Sequence, residues 1–295
     1  MAFSIRASAP RGEKRGRRRP SWLLIAALTV LVIAAVLAVL GNAVTAFGPT
    51  EQSLLARLKP PVWLPGGDPQ FLLGTDRLGR DMASRLVAGL RMSLAVAVIG
   101  TIIGAVFGCL IGFLAAHFRG VVEEVLMMLV DFQASLPFIL IALTLLAFFG
   151  NSLVLFVVLM GLQGWENYAR LARGAVLQAT SQPYAKAVIS LGASPWRLYS
   201  RHVLPNVASA LMVQVTLNFP QIIVLETSMS FLGLGIQPPQ TSLGQILGDG
   251  RDYLSSAWWI AVWPGAVIFL LTLSMSIVGD WLRDRLDPAL RGTTT

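Results

Sequence analysis

Few side chains in this sequence could do chemistry. Asp131 and Glu226 are carboxylates set in long apolar blocks. A charge at membrane depth is costly and is by default a functional candidate. The duller alternative is that each lies near a helix end, pairs with a basic group and only fixes packing. His117 and His202 are the two histidines, and Cys109 is the single cysteine. One cysteine closes no internal disulfide, and this set cannot assemble a zinc site, so no metal ligand is assigned. Neither histidine has a convincing Ser or Asp constellation, so no catalytic residue is assigned either. The three lysines, Lys14, Lys59 and Lys186, never follow a glycine. The phosphate-cradling pattern G-x-x-x-x-G-K-[ST] is therefore absent, and any ATP-driven step belongs to another chain.

The elements that carry these residues are set by composition. The chain has 295 residues, 55% hydrophobic and 13% charged. Soluble domains carry about a quarter charged residues. The apolar residues fall in long separate blocks, the pattern of an all-α polytopic membrane protein. Six transmembrane helices are expected: Trp22–Leu40, Met92–Ala116, Val125–Phe149, Ser152–Trp165, Ala208–Leu225 and Ala257–Val278. The first has a rival reading as a signal peptide, with Val44–Ala46 resembling a cleavage site. Its apolar core is too long for that, which favours a retained helix. The helix of the short fourth span is expected to continue into water through the residues after Trp165.

The net charge is +8, and the basic residues cluster in the first 19 positions. Such a cluster beside a span sets orientation or touches anionic lipid; nucleic acid is not an expected partner. With both ends cytoplasmic, 16 of the 23 Lys and Arg lie on the inner side and 7 on the outer. The expected organisation is a basic cytoplasmic tail at 1–21, a first helix at 22–40 and an extracytoplasmic loop at 41–91. A core of five helices follows at 92–280, with a cytoplasmic loop at 166–207, and then a tail at 281–295.

Gly100, Gly104, Gly108 and Gly112 repeat every four residues and share one helix face. Small residues in such register let helix backbones approach closely in lipid. The partner helix could lie in this chain or in another. Pro137, Pro220 and Pro264 each remove a backbone bond from an expected span and should kink it.

The stretch Tyr184–Asn206 interrupts the apolar pattern with basic and turn-forming residues. Ser194-Pro195 is a helix start, a serine cap followed by proline at the first helical position. That helix is expected to stop before Leu204-Pro205, because the residue preceding proline is pushed out of helical geometry. A second short helix spans Tyr184–Leu191, and Gly192 lies between the two, where a left-handed turn needs no Cβ. One face offers Tyr184, Val188, Leu191, Trp196 and Tyr199; the other offers Lys186, Arg197 and Arg201. Read physically, this helix–turn–helix is either a handle for a second protein or an amphipathic hairpin on lipid.

The segment resembles the cytoplasmic "EAA" loop of ABC importer permeases. Lys186-Ala187-Val188, Gly192-Ala193-Ser194 and Leu204-Pro205 fall on its pattern, except that Lys186 stands where that loop has glutamate. Four further stretches are similar to the C-type permeases of dipeptide, oligopeptide and nickel importers: "LGTDRLGRD", "LVDFQASLP", "SFLGLGIQPP" and "GDWLRDRLDPALR". The resemblance runs from the first span to Arg291. It implies a type I importer permease in a bacterial inner membrane, paired with a B-type permease. Two ATP-binding subunits would carry ATP and Mg²⁺, since no cofactor is expected in this chain. An extracytoplasmic solute-binding protein would deliver cargo, peptides first, with nickel chelates, glutathione or opine-like solutes as alternatives. It also implies ATPase coupling through Tyr184, Lys186, Ala187, Gly192, Ala193, Ser194, Arg197, Leu204 and Pro205. Asp76, Arg80, Asp81, Gly233 and Gly235 lie in outer motifs suited to docking or gating. A transporter of a different class, working alone, is disfavoured by the absence of a clear inverted repeat.

Overall fold

The computed structural model describes residues 22–286. The basic tail at 1–21 and residues 287–295, which hold the end of the "GDWLRDRLDPALR" motif, lie outside it. Among the described residues the chain is helical, without a strand. Helix α1 (Trp22–Val44) carries no charge and leaves most of its side chains exposed, as a helix facing hydrocarbon does. Helix α2 (Met82–Phe118) has 37 residues. At 1.5 Å per residue it is about 55 Å long, well beyond a hydrocarbon core of about 30 Å. It starts ten residues before the expected span because Asp81 caps it, its carboxylate accepting from the Ser84 N–H at 2.8 Å.

The third expected span is broken. Helices α3 (Gly120–Ser135) and α4 (Phe138–Phe149) meet at 87° across Leu136-Pro137. Leu136 is extended, with φ −99° and ψ 135°, as a residue before proline prefers. The fourth span differs more. Helix α5 (Leu153–Gly161) has nine residues, about 14 Å, and ends before Gly164, whose φ is +79°. Helix α6 (Trp165–Ser181) then continues as a separate, more polar helix. Four helices of the described chain, α1, α2, a continuous run from Pro195 to Phe231, and α11 (Trp259–Leu286), are long and apolar enough to cross a membrane; the bent α3–α4 pair would make five. The six expected spans are therefore not matched one for one: among the described residues no single helix of sufficient length and apolarity covers the expected fourth span.

Short helices α7 (Pro183–Ser190) and α8 (Pro195–Leu198) form the interrupting segment. Helix α9 (Leu204–Phe231) follows, then a loop, α10 (Leu243–Gly250) and α11. Helix α2 is the central post, packing against α1, α5, α6, α9 and α10, while α11 closes over α1, α9 and α10. Four apolar clusters fill the seams, the smallest joining Val130 of α3 to Trp165 and Ala169 of α6. Of the others, one joins α2, α4, α5 and α9; a second joins α1, α2, α10 and α11; the third ties α2 and α6 to α7–α9.

The glycine face of α2 explains its closest contact. Gly100, Gly104, Gly108 and Gly112 are all buried. A Cβ on Gly108 would stand 2.7 Å from the Tyr168 Cβ, and one on Gly112 would stand 2.8 Å from the Ala172 Cβ. The partner is α6 of the same chain, with the end of α5 meeting Gly100 and Gly104. No larger side chain leaves room for those backbones.

Candidate functional site

The hairpin between α6 and α9 is built from local signals. Helix α7 ends in a left-handed turn at Gly192, φ +77°. The Gly192 N–H donates to the Ile189 carbonyl at 2.9 Å and the Ala193 N–H to the Val188 carbonyl at 3.3 Å. These two bonds satisfy carbonyls that the helix end would orphan. Nothing lies within 4 Å of a Cβ placed on Gly192, so glycine is favoured there by backbone conformation and not by space. Pro195 then starts α8, and Ser194 Oγ accepts from the Arg197 N–H at 3.4 Å.

The expected stop before Leu204-Pro205 does not occur. Leu204 is helical, with φ −55° and ψ −46°, and chain direction is kept by a five-residue π-helical turn, Tyr199–Val203. The Leu204 N–H donates to the Tyr199 carbonyl, five residues back. The wider turn, together with the place of Pro205 in the first turn of α9, means that its missing donor breaks no bond.

The hairpin's aromatic residues divide between inside and outside. Tyr199 faces inward, its ring 5.4 Å from His117 and 6.0 Å from Phe113 on α2, its hydroxyl 3.1 Å from His117 Nδ1. Ala185, Leu198 and Val203 are buried beneath it. Trp196 and Leu191 point away, 81% and 87% exposed. Lys186, Ala187, Arg197, Leu204 and Pro205 are exposed as well, and no carboxylate lies between Gln182 and Asn206. Tyr184, at the root of α7, has its hydroxyl 3.2 Å from the donating Asn206 Nδ2. The result is a protruding, basic surface with two large apolar side chains at its tip, held rigidly at its base.

The two singled-out acids differ. Asp131 is 71% exposed along its side chain and pairs with Arg170 of α6 at 3.0 Å. Beside it, Glu123 of α3 pairs with Arg173 of α6. Glu226 is fully buried, and its partners are hydroxyls where a base was expected. Oε2 accepts from Ser93 Oγ of α2 at 3.0 Å and Oε1 from Ser230 Oγ at 2.8 Å. Ser93 Oγ in turn accepts from the Leu243 N–H, and Ser230 Oγ from the Ile236 N–H. Glu226 is thus the hub tying α2, α9, the loop after α9 and α10. Gly235 passes so close to Ser230 that a Cβ would stand 2.5 Å from its Cα. Gly233 has φ +82° and open space around it.

The outer motif "GTDRLGRD" closes an ion network. Asp76, 1% exposed, accepts from Arg80 Nε and Arg85 Nη1, both at 2.6 Å, and from the Leu78 and Arg80 N–H groups. Arg85, also 1% exposed, reaches Asp249 at the end of α10 at 3.0 Å. Trp259 Nε1 donates to the Thr75 carbonyl at 3.0 Å. Asp76 therefore faces inward and, through Arg85 and Asp249, staples the first loop to α10; Trp259 ties the loop to α11, Asp81 caps α2, and Arg77 is the half-exposed arginine at the rim. Sequence reading missed Arg85, Asp249 and Ser93. An arginine in the first turn of an apolar helix was the one available signal.

Comparison with known proteins decides the family. Residues 104–292 match the family described as binding-protein-dependent transport system inner membrane component. The chain belongs to that family. Among relatives of this permease, the di/tripeptide transport system permease protein DppC of Pseudomonas aeruginosa is 38% identical over 84% of this chain and 82% of its own length. The dipeptide transport system permease protein DppC of Escherichia coli K12 is 38% identical over 90% of this chain and 89% of its own. The Bacillus subtilis dipeptide permease DppC is 35% identical over 93% and 84%. In fold, the permease resembles the MetNI methionine ABC transporter in inward-facing conformations, with TM-score 0.56 and 21% identity over 68% of this chain and 96% of that one. An amino acid ABC transporter with histidines gives TM-score 0.53 at 16% identity, over 68% and 92%.

Proposed function

We propose that this permease is one half of the translocation pathway of an ATP-driven importer of di- and tripeptides in a bacterial inner membrane. A B-type permease supplies the other half, two ATP-binding subunits carry ATP and Mg²⁺, and an extracytoplasmic solute-binding protein delivers the peptide. The names of its relatives support the cargo class. Both termini are cytoplasmic in this reading, and α5 with the start of α6 makes the fourth of six crossings.

The observation that carries the mechanism is the hairpin's construction. Trp196 and Leu191 protrude on a basic, rigidly based surface, a shape suited to a groove in an ATPase subunit. The inward Tyr199 and the continuous helix through Leu204 link that surface to α2 and α9. Movement imposed on Trp196 would pass along α9, through Pro220, toward Glu226 and the outer loop. Alternating access is then the rocking of α9 and its neighbours about a midplane pathway.

Reconstitution of the complete importer with Gly192→Val tests this. A β-branched residue at φ +77° is strongly disfavoured. The variant is expected to insert and fold, yet to lose binding-protein-stimulated ATP hydrolysis and uptake together. Gly192→Asn, which tolerates the left-handed region, should retain most of both. Normal stimulated hydrolysis and uptake by Gly192→Val would overturn the coupling role of the hairpin.

A further inference from the structure

A cleft of about 820 Å³ opens beside the hairpin. Its walls are one face of α6 and one face of α9, and the end of α11 closes it. The volume suits a small ligand, since pockets for such ligands run to about 300–1,000 Å³. The lining has a definite chemistry. Gln178 and Gln182 come from the α6 side, and Asn206 and Gln214 from α9. Arg283 on α11 is the single ionised side chain of the lining, and no carboxylate is present. Apolar side chains such as Val213 and Leu217 occupy the rest.

The glutamine carboxamides are uncommitted. The Gln178 and Gln214 backbone carbonyls accept from Ser181 and Tyr168, and the Gln182 N–H donates to Ala179, but none of the three side chains has a partner among the described residues. A carboxamide offers both donors and an acceptor, the complement of a peptide group. A guanidinium offers a fork that matches a carboxylate. Neutral amides, one cation and an apolar wall fit a short peptide with a free C-terminus.

We propose that this cleft is the release subsite for a short peptide on the hairpin side of the membrane, with its α-carboxylate on Arg283 and its amide group among Gln178, Gln182 and Gln214. The proposal rests on the peptide-importer reading above. The peptide's ammonium group finds no carboxylate here and stays hydrated. Binding is accordingly weak, with a Kd on the order of 1 mM, as a site that must empty requires. The cleft also touches the root of the hairpin through Tyr184 and Asn206.

The test uses the native complex isolated by a tag on this chain, with Ser209→Cys in a Cys109→Ala background. Ser209 lines the cleft, and cysteine is nearly its isostere. Maleimide labelling is measured in nucleotide-free inside-out vesicles with dialanine, and with dialanine amide as control. ATP-driven dialanine uptake is measured in parallel with the binding protein supplied. Dialanine should slow labelling at millimolar concentration, and the amide should need at least about tenfold more, the loss of about 1.4 kcal/mol. Arg283→Gln should show the same tenfold loss, and Arg283→Lys should restore much of it.

Uptake of dialanine without protection, or equal protection by the amide, overturns the release subsite and leaves the peptide-importer reading standing. Absence of uptake overturns both. A cysteine that labels in the isolated chain but never in the complex means that another subunit fills the cleft, which also overturns the proposal.

Discussion

At the scale of single residues, the most constrained charges are Asp76, which sequence reading placed in an outer motif, and Arg85, which it missed. Asp76 is almost wholly buried and holds two arginines, and Arg85 is as buried as Asp76 itself. Removing one partner of such a pair strands the other, at a cost of about 3–5 kcal/mol. Replacing both by apolar groups removes most of that penalty. Asp76→Ala is therefore expected to lower the yield and melting temperature of the purified complex sharply, and Asp76→Ala with Arg85→Met to recover a large part. A double-mutant cycle by thermal melting in detergent checks this. Additive losses would show that the network does not act as a unit. Gly192 is the opposite kind of residue, touching nothing and constrained only by its φ, so its variants report on conformation alone.

At the scale of elements, the α2–α6 seam dominates the core. Its closeness depends on four glycines meeting the backbone of α5 and α6, including the Ala169 and Trp165 carbonyls. Gly108→Leu forces those backbones apart, and overpacking of this kind costs about 1–3 kcal/mol or more. Val106 lies on the same helix but is 55% exposed. Val106→Leu should leave assembly and melting unchanged, while Gly108→Leu should reduce both. Size-exclusion profiles and melting curves of the two variants, expressed side by side, make the comparison. Equal behaviour would mean that the glycine register is incidental to packing.

At the scale of the whole molecule, the described chain has four long apolar helices, or five with the bent pair, and the proposed topology needs a sixth crossing. The α5–α6 pair decides it. Leu55 is 97% exposed in the loop after α1, and Trp196 is 81% exposed on the hairpin. Three crossings separate them if α2, α3–α4 and α5–α6 each span. Cysteines at these positions, one at a time in a Cys109→Ala background, should then label from opposite sides of sealed vesicles with an impermeant reagent. Labelling from the same side would remove one of the three crossings and overturn the six-span topology.

What the sequence determined by itself was everything governed by short range and period. Apolar blocks made the helices, because a backbone in hydrocarbon has no other way to satisfy its polar groups. Ser194-Pro195 and Gly192 fixed the hairpin, because a cap and a left-handed turn involve residues only a few positions apart. The four-residue glycine repeat marked a close-packed face, though only the fold showed that α6 of the same chain fills it. Tertiary structure decided the rest. Arg85 meets Asp249 across 164 positions and Ser93 meets Glu226 across 133, and no periodicity links such pairs. The two Leu-Pro pairs make the same point. At Leu136-Pro137 the backbone is extended and the helix breaks by 87°. At Leu204-Pro205 it stays helical, because a π-helical turn absorbs one extra residue while Val203 and Val207 pack into the core. The dipeptide sets a local preference of modest size, and packing of the surrounding helices determines whether that preference prevails.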